Sequence, residues 1–246
     1  MQIVTSYEDI PVAGRTMRTF VAAPNDDRQY PGVVFYSDIF QLTESTLRWV
    51  SRLASYGFVV AAPEIYFRVE EPGEVFAFDD EGKDRGQADV EKLTAEQFDQ
   101  DIEALLSWLE TNDRVESGKL AATGHCTGGH IGFRAAFNDK VVTTALWYPT
   151  GLHNGKLGAD ADTGSLQQAA QIAGPMLLIF GTNDPHTPKP DREIVHAGLE
   201  EADVNFEWIE VEAEHAFGRD VGPRWDPSAT DEAFAATVEF LKRTLG

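Results

Sequence analysis

Three short runs, apolar at nearly every position, constrain this chain most. They are V-V-F-Y at residues 33–36, F-V-V-A-A-P at 58–63 and P-M-L-L-I-F at 175–180. A strand that is apolar throughout, not at alternate positions, has both faces covered, as a central strand of a parallel sheet does. Parallel neighbours need long crossovers, and helical patterns lie between these runs. Leu47, Val50 and Leu53 recur at helical spacing, and Phe98, Ile102, Leu105, Leu106 and Leu109 follow at i, i+4, i+7, i+8 and i+11. Further strands are expected at 119–123, 141–148 and 204–211, with helices at 192–201 and 231–245 and a short one at 165–172. The opening residues hold two alternating runs, 3–7 and 15–21, separated by Pro11 and Gly14, which read as an antiparallel pair. Strands alternating with helices predict an α/β fold, a mostly parallel central sheet with helices on both faces. No repeat or low-complexity segment interrupts it, and the chain is read as a single domain, 1–246. Residues 64–90 are rich in Gly, Asp and Glu and carry Tyr66, Phe67, Phe76 and Phe78. They are expected to form an irregular surface excursion that covers a site.

The formal net charge of −21 opposes binding to nucleic acid or to an anionic membrane surface, both of which need a basic face. An anionic substrate would have to be captured by a local cation. One cysteine excludes an internal disulfide framework and fits a reducing compartment. The first residues lack a basic region followed by an apolar one, so no signal peptide is expected, and no run approaches the roughly 20 apolar residues of a membrane span. A cytoplasmic protein is the natural expectation.

That cysteine, Cys126, lies in A-A-T-G-H-C-T-G-G-H-I-G-F, residues 121–133, between an apolar strand-like run and a helix-like one. A sharp strand-to-helix turn pushes the side chain at its apex outward, and glycines relieve the crowding. The helix start behind it offers free N–H groups and a positive dipole end to a thiolate or an oxyanion. Two readings stand: a nucleophile, or a small buried thiol in a glycine-rich packing turn. Walking the ends of the expected strands gives Asp38, Cys126, Asp184 and His215. A thiol nucleophile needs a base within reach and a carboxylate to orient the imidazole. Nucleophile, acid, then histidine is the chain order of an α/β-hydrolase triad, which favours the nucleophile.

With these pieces in view, the sequence resembles the dienelactone hydrolase family. The matching stretches are P-G-V-V-F-Y-S-D-I-F, Y-G-F-V-V-A-A-P-E-I-Y, G-H-C-T-G-G, G-T-N-D-P-H-T-P and E-H-A-F-G-R, spread over about residues 31–220. The resemblance implies an α/β-hydrolase fold and a triad of Cys126, His215 and Asp184. It implies an oxyanion hole from the backbone N–H groups of Thr127 and Ile39. In the family a glutamate at the end of the first catalytic strand holds the resting thiol; here Asp38 stands there, one methylene shorter. If Asp38 does not reach Cys126, His215 acts as base directly. Arg219 matches a family arginine that binds the substrate carboxylate; a surface arginine balancing Asp220 or Glu214 is the alternative. Arg85 and Arg68 are candidates for a second such arginine. Phe40, Tyr66, Trp147 and Phe217 are candidate pocket walls, each also a natural core residue.

The other histidines receive plainer readings: His125 shapes the turn, His130 lies along the helix, and His186 sits two residues past Asp184. No cluster has zinc-ligand spacing and no nucleotide-binding glycine motif is present, so no metal or cofactor is expected. The resemblance implies hydrolysis of a small lactone or activated ester, anionic substrates included. A broad carboxylesterase or thioesterase is the first alternative, and a non-catalytic ligand-binding homologue the second.

Overall fold

In the computed structural model, residues 1–246 are all described. Eight strands form one sheet: β1 (Ile3–Val12), β2 (Arg15–Pro24), β3 (Tyr30–Tyr36), β4 (Val59–Pro63), β5 (Val115–His125), β6 (Val141–Trp147), β7 (Met176–Gly181) and β8 (Phe206–Val211). Their order across the sheet is β1-β2-β4-β3-β5-β6-β7-β8. The first pair is antiparallel, β2 runs antiparallel to β4, and every other neighbouring pair is parallel. The three continuous apolar runs are indeed interior strands. The expected opening hairpin is longer than its alternating segments, because pairing runs on from Ile3 to Pro24.

Helices cover both faces, as the crossovers require. On one face Val34 and Tyr36 pack with Phe98, Leu105 and Leu109 of α3 (Ala95–Glu110). On the other, Val33 and Phe35 pack with Trp49 and Leu53 of α1 (Glu44–Ala54) and with Phe234 and Leu241 of α6 (Pro227–Leu245). This is the period-two alternation of a strand, here apolar on both sides. Helix α6 begins four residues before its apolar pattern, because Asp226 caps the Ala229 N–H at 2.9 Å and Pro227 suits the first turn. The short helix expected near 165–172 is a 3-10 turn at Leu166–Gln171, and the helix expected at 192–201 starts three residues earlier, as α5 (Lys189–Glu201).

One expectation fails. The excursion after β4 is not irregular throughout: α2 spans Asp80–Val90. Its sequence, DEGKDRGQADV, offers only Ala88 and Val90 as apolar residues, so no helical period shows. Asp79 caps it, accepting from the Gly82 N–H at 2.8 Å.

The chain reverses its direction of travel across the sheet at β3, which has β4 on one side and β5 on the other. In open α/β sheets such a reversal leaves a crevice beyond the C-terminal strand ends. Asp38 and Cys126 stand just past β3 and β5, at that crevice.

Candidate active site

Cys126 separates β5 from α4 (Thr127–Ala135) and adopts φ 58°, ψ −121°, a sparsely populated conformation costing roughly 1–3 kcal/mol outside glycine. The turn is held by close backbone packing. A Cβ on Gly128 would fall on the carbonyl oxygens of Tyr36 and Ser37, and one on Gly124 would fall on that of Gly128. Six non-glycine residues have positive φ, and four of them, Gln41, Cys126, Tyr148 and Ala216, follow β3, β5, β6 and β8 closely. Strain therefore concentrates at the strand ends around the site.

His215 and Asp184 meet from the loops after β8 and β7. His215 Nδ1 and Asp184 Oδ2 lie 2.6 Å apart, while Asp184 Oδ1 accepts from the His186 and Thr187 N–H groups at 2.7 and 3.2 Å. The carboxylate is thus fixed by three donors. Burial would raise its pKa, but the His215 hydrogen bond and charge hold it below the usual carboxylate value. His215 Nε2 is buried and has no hydrogen-bond partner of regular geometry, and the imidazole and the Cys126 thiol both line one cavity.

The two groups reset each other's protonation. Burial alone would push the Cys126 thiol up, but the His215 cation, with Arg219 behind it, brings it below an ordinary thiol. Burial alone would lower His215; the thiolate and the Asp184 hydrogen bond reverse this and raise it to about 9. Each charge favours the other, which shifts the pair toward thiolate and imidazolium. His125, one residue before the thiol, behaves oppositely: boxed by Phe35, Trp49, Trp147 and Tyr148, it is lowered by burial to about 3.

Asp38 does not reach Cys126. Its Oδ1 accepts from the Phe40 N–H at 2.9 Å, and its Oδ2 accepts from Arg219 Nη2 at 2.6 Å and Nε at 3.1 Å. Both oxygens are occupied, so the thiol-holding role implied for this position has no geometric basis here. Arg219 lines the cavity with its guanidinium 4.5 Å from both the Phe40 and Phe78 ring centres. Its partner is Asp38, not Asp220 or Glu214.

Ile39 and Thr127 line the same cavity. Thr127 opens α4, where an N–H has no intrahelical acceptor. The aromatic candidates divide. Phe40 lines the cavity; Trp147, Phe217 and Tyr66 are core. Trp147 donates to Thr237 Oγ1 at 2.9 Å and stacks on Phe217, and Tyr66 donates to the Gly86 carbonyl at 3.0 Å. Neither excursion arginine reaches the cavity. Arg85 pairs with Glu70 at 2.6 Å and Glu74 at 2.8 Å, and Arg68 pairs with buried Asp101 at 2.5 Å.

Further cavity residues come from four loops and from α2. They include Phe78, Lys83, His153, Lys156, His186 and Arg224, around a volume of about 510 Å³. The Thr150–Gly151 wall is tied to the nucleophile helix. His130 Nδ1 lies 3.1 Å from the Thr150 carbonyl and its Nε2 lies 2.8 Å from the Ser165 hydroxyl, whose oxygen accepts from Arg134 Nη1 at 3.0 Å. Arg134 in turn pairs with Asp99. Burial lowers His130 to about 3, so it is neutral and serves as a structural linker. No group of three or more His, Cys, Asp or Glu side chains converges as a metal site would require. No helix is long and apolar enough to cross a membrane.

A Saccharomyces cerevisiae protein described as "Putative carboxymethylenebutenolidase" is 32% identical over 256 residues, covering 100% of this chain and 93% of that one. The "Carboxymethylenebutenolidase" of Pseudomonas sp. (strain P51) is 26% identical, covering 87% of this chain and 84% of that one. A crystal structure described as a "Putative Dienelactone Hydrolase" from Klebsiella pneumoniae superposes with a TM-score of 0.86 at 23% identity, covering 99% of this chain and 100% of that one. The fold is that of the α/β-hydrolases, and the activity is hydrolysis of ester bonds. The profile of the dienelactone hydrolase family matches residues 17–245: this chain is a member of that family.

Proposed function

We propose that Cys126, His215 and Asp184 hydrolyse a lactone or activated ester through an acyl-thioester intermediate. The observation that carries this reading is the pair His215 Nδ1–Asp184 Oδ2 at 2.6 Å, with His215 Nε2 left unpartnered beside a thiol on a strained turn. Asp184 fixes the imidazole tautomer and stabilises its cation. The Cys126 thiolate attacks the carbonyl carbon, and the oxyanion is received by the Thr127 and Ile39 N–H groups, a contribution commonly worth about 3–4 kcal/mol. Collapse breaks the C–O bond, and the departing oxygen takes the His215 proton. Water then attacks the thioester, giving its proton to His215 as the thiolate leaves.

His215 is the base without help from Asp38, whose oxygens are occupied. Asp38 instead orients Arg219 at the cavity wall, where the guanidinium can meet a substrate carboxylate. A thiolate is a good leaving group, which confines the chemistry to activated esters and strained or conjugated lactones. The cavity of about 510 Å³ favours, as a second reading, a carboxylesterase or thioesterase of wider scope using the same triad. The lone thiol suits a reducing cytoplasm.

The test is a burst experiment with an aryl ester and with a dienelactone. Wild-type protein, quenched early, should carry one added acyl mass on the peptide containing Cys126. Cys126→Ala should lose that adduct and at least 10³-fold in kcat. Turnover by Cys126→Ala at the wild-type rate would remove the nucleophile from the scheme.

A further inference from the structure

The residue that closes the turn after β3 breaks a local rule. Gln41 adopts φ 67°, the left-handed region that favours glycine, although it carries a long side chain and is only 1% exposed. Such a conformation persists where the surroundings over-determine it. The Gln41 N–H donates to the Asp38 carbonyl at 3.1 Å, and the Gln41 carbonyl accepts from the Thr43 N–H at 2.9 Å and from Thr46 Oγ1 at 3.1 Å. The side chain leaves the turn altogether. Its Oε1 accepts from the Tyr66 N–H at 3.2 Å, and its Nε2 donates to the Glu74 carbonyl at 3.1 Å, across 25 and 33 positions of chain.

Glycine would take this backbone conformation without strain, and an apolar residue would bury no polar group. A buried amide is tolerable only with its atoms satisfied, and here both are. Its orientation is fixed as well, since the reverse would set NH2 against N–H and oxygen against oxygen. The amide thus fastens two points of the excursion after β4 to the turn that carries Ile39.

The peptide between Asp38 and Ile39 receives the consequence. It is trans and planar, so its carbonyl and its N–H point in opposite directions. The carbonyl is the acceptor of the Gln41 N–H, and holding it aims the Ile39 N–H the other way. The turn's own bonds use the N–H groups of Phe40, on Asp38 Oδ1, and of Gln41; that of Ile39 donates to nothing within the protein. The next peptides are braced by the same excursion. The Phe40 carbonyl accepts from the Phe76 N–H at 3.3 Å. Gly86 of α2 abuts the Ile39 carbonyl, and Tyr66, whose N–H Gln41 holds, donates its hydroxyl to the Gly86 carbonyl.

We propose that Gln41 is a positioning residue for the oxyanion hole: its side-chain amide locks the turn and so fixes the direction of the Ile39 N–H. This rests on the hydrolase reading above and adds to it a residue outside the cavity lining. An oxyanion donor stabilises the transition state only when held in place beforehand, so a loosened turn slows the chemistry more than it weakens substrate binding.

The experiment uses p-nitrophenyl acetate as substrate and an aryl trifluoromethyl ketone as inhibitor. The thiolate adds to the ketone carbon, and the carbonyl oxygen becomes an oxyanion placed as in the reaction. Gln41→Gly suits the backbone and deletes the amide; Gln41→Met, a second variant, keeps the side-chain length. In both, kcat per active site, counted from the nitrophenolate burst, should fall about 30-fold, short of the 10²–10³-fold typical of deleting a donor outright. KM should change by less than about twofold, and the ketone Ki should weaken by about the factor lost in kcat/KM. These are properties of the folded molecules alone, so partial unfolding does not imitate them. A purely structural amide would lower the melting temperature and leave kcat and Ki at wild-type values. That result, or a fall in kcat with Ki unmoved, overturns the proposal. The two readings fail separately. If Cys126→Ala is inactive while Gln41→Gly matches wild type, the hydrolase stands and the positioning role falls; if Cys126→Ala turns the ester over at the wild-type rate, the nucleophile falls first.

Discussion

The floor and the wall of the cavity are built on different principles. The floor consists of strand ends: Asp38 and Ile39 after β3, Cys126 after β5, Asp184 after β7 and His215 after β8. Each is held by buried backbone packing or by hydrogen bonds that fix its orientation, as with Asp184 and its three donors. The wall consists of α2, the 150–158 loop and the 217–224 loop. Apart from Arg219, which is held by buried Asp38, its cations sit in exposed pairs or in none. The contrast separates labour: the floor sets what bond is broken, and the wall sets which molecule is admitted.

The comparison breaks most visibly at the floor. Asp184→Asn should leave the fold intact while favouring the wrong His215 tautomer, lowering kcat by on the order of 10³–10⁴-fold. A loss under tenfold in steady-state kinetics would mean that His215 needs no orienting carboxylate. Gly128→Ala comes next. Its Cβ would strike the Tyr36 and Ser37 carbonyls, so β3 and α4 must part, at about 2–4 kcal/mol of stability by urea denaturation. The matching change in the wall, Gly86→Ala, places a Cβ on the Ile39 carbonyl from a surface helix that can shift outward. It should cost about 1 kcal/mol and raise KM several-fold; a larger stability loss than Gly128→Ala would contradict the division.

Protonation sharpens the same contrast. Because His215 is raised to about 9 and Cys126 lowered, thiolate absorbance near 240 nm should appear at lower pH than for an ordinary thiol, and its onset should move up in His215→Asn. In linkage terms the raised His215 stabilises the fold fully below its unfolded pKa near 6.5, and that contribution fades as pH rises through about 9. The sign is reversed for His125 and His130, both lowered to about 3. As pH falls below 6.5 the unfolded chain takes up protons that these two refuse, so stability should decline by about 1.4 kcal/mol per pH unit for each. His125→Phe fills the same aromatic box and should halve that acid slope, the smallest of these effects.

What could be read in advance follows the same division. Continuous apolar runs place the interior strands, and strand ends place Cys126, Asp184 and His215, because the loops leaving the C-terminal ends of parallel strands meet at one crevice. The pairing of Arg219 with Asp38 spans 181 positions and leaves no trace in local pattern. Helix α2 was invisible because its stability comes from Asp79 and from contacts of Gly82 and Gly86 with neighbouring backbone, not from an apolar stripe. Tyr66, Trp147 and Phe217 illustrate the converse: an aromatic residue near a strand end fills the core as readily as it lines a pocket.

The buried bonds around His130 carry a consequence for motion. They fasten the Thr150 carbonyl and Ser165 to the helix that bears the nucleophile, so this side of the cavity can open only by breaking interior hydrogen bonds. Local unfolding there should approach the free energy of global unfolding, whereas α2, capped at one end and polar along its length, should open far below it. Amide hydrogen exchange would then report two clocks within one cavity. The His130 side should exchange with the core, and α2 well before it.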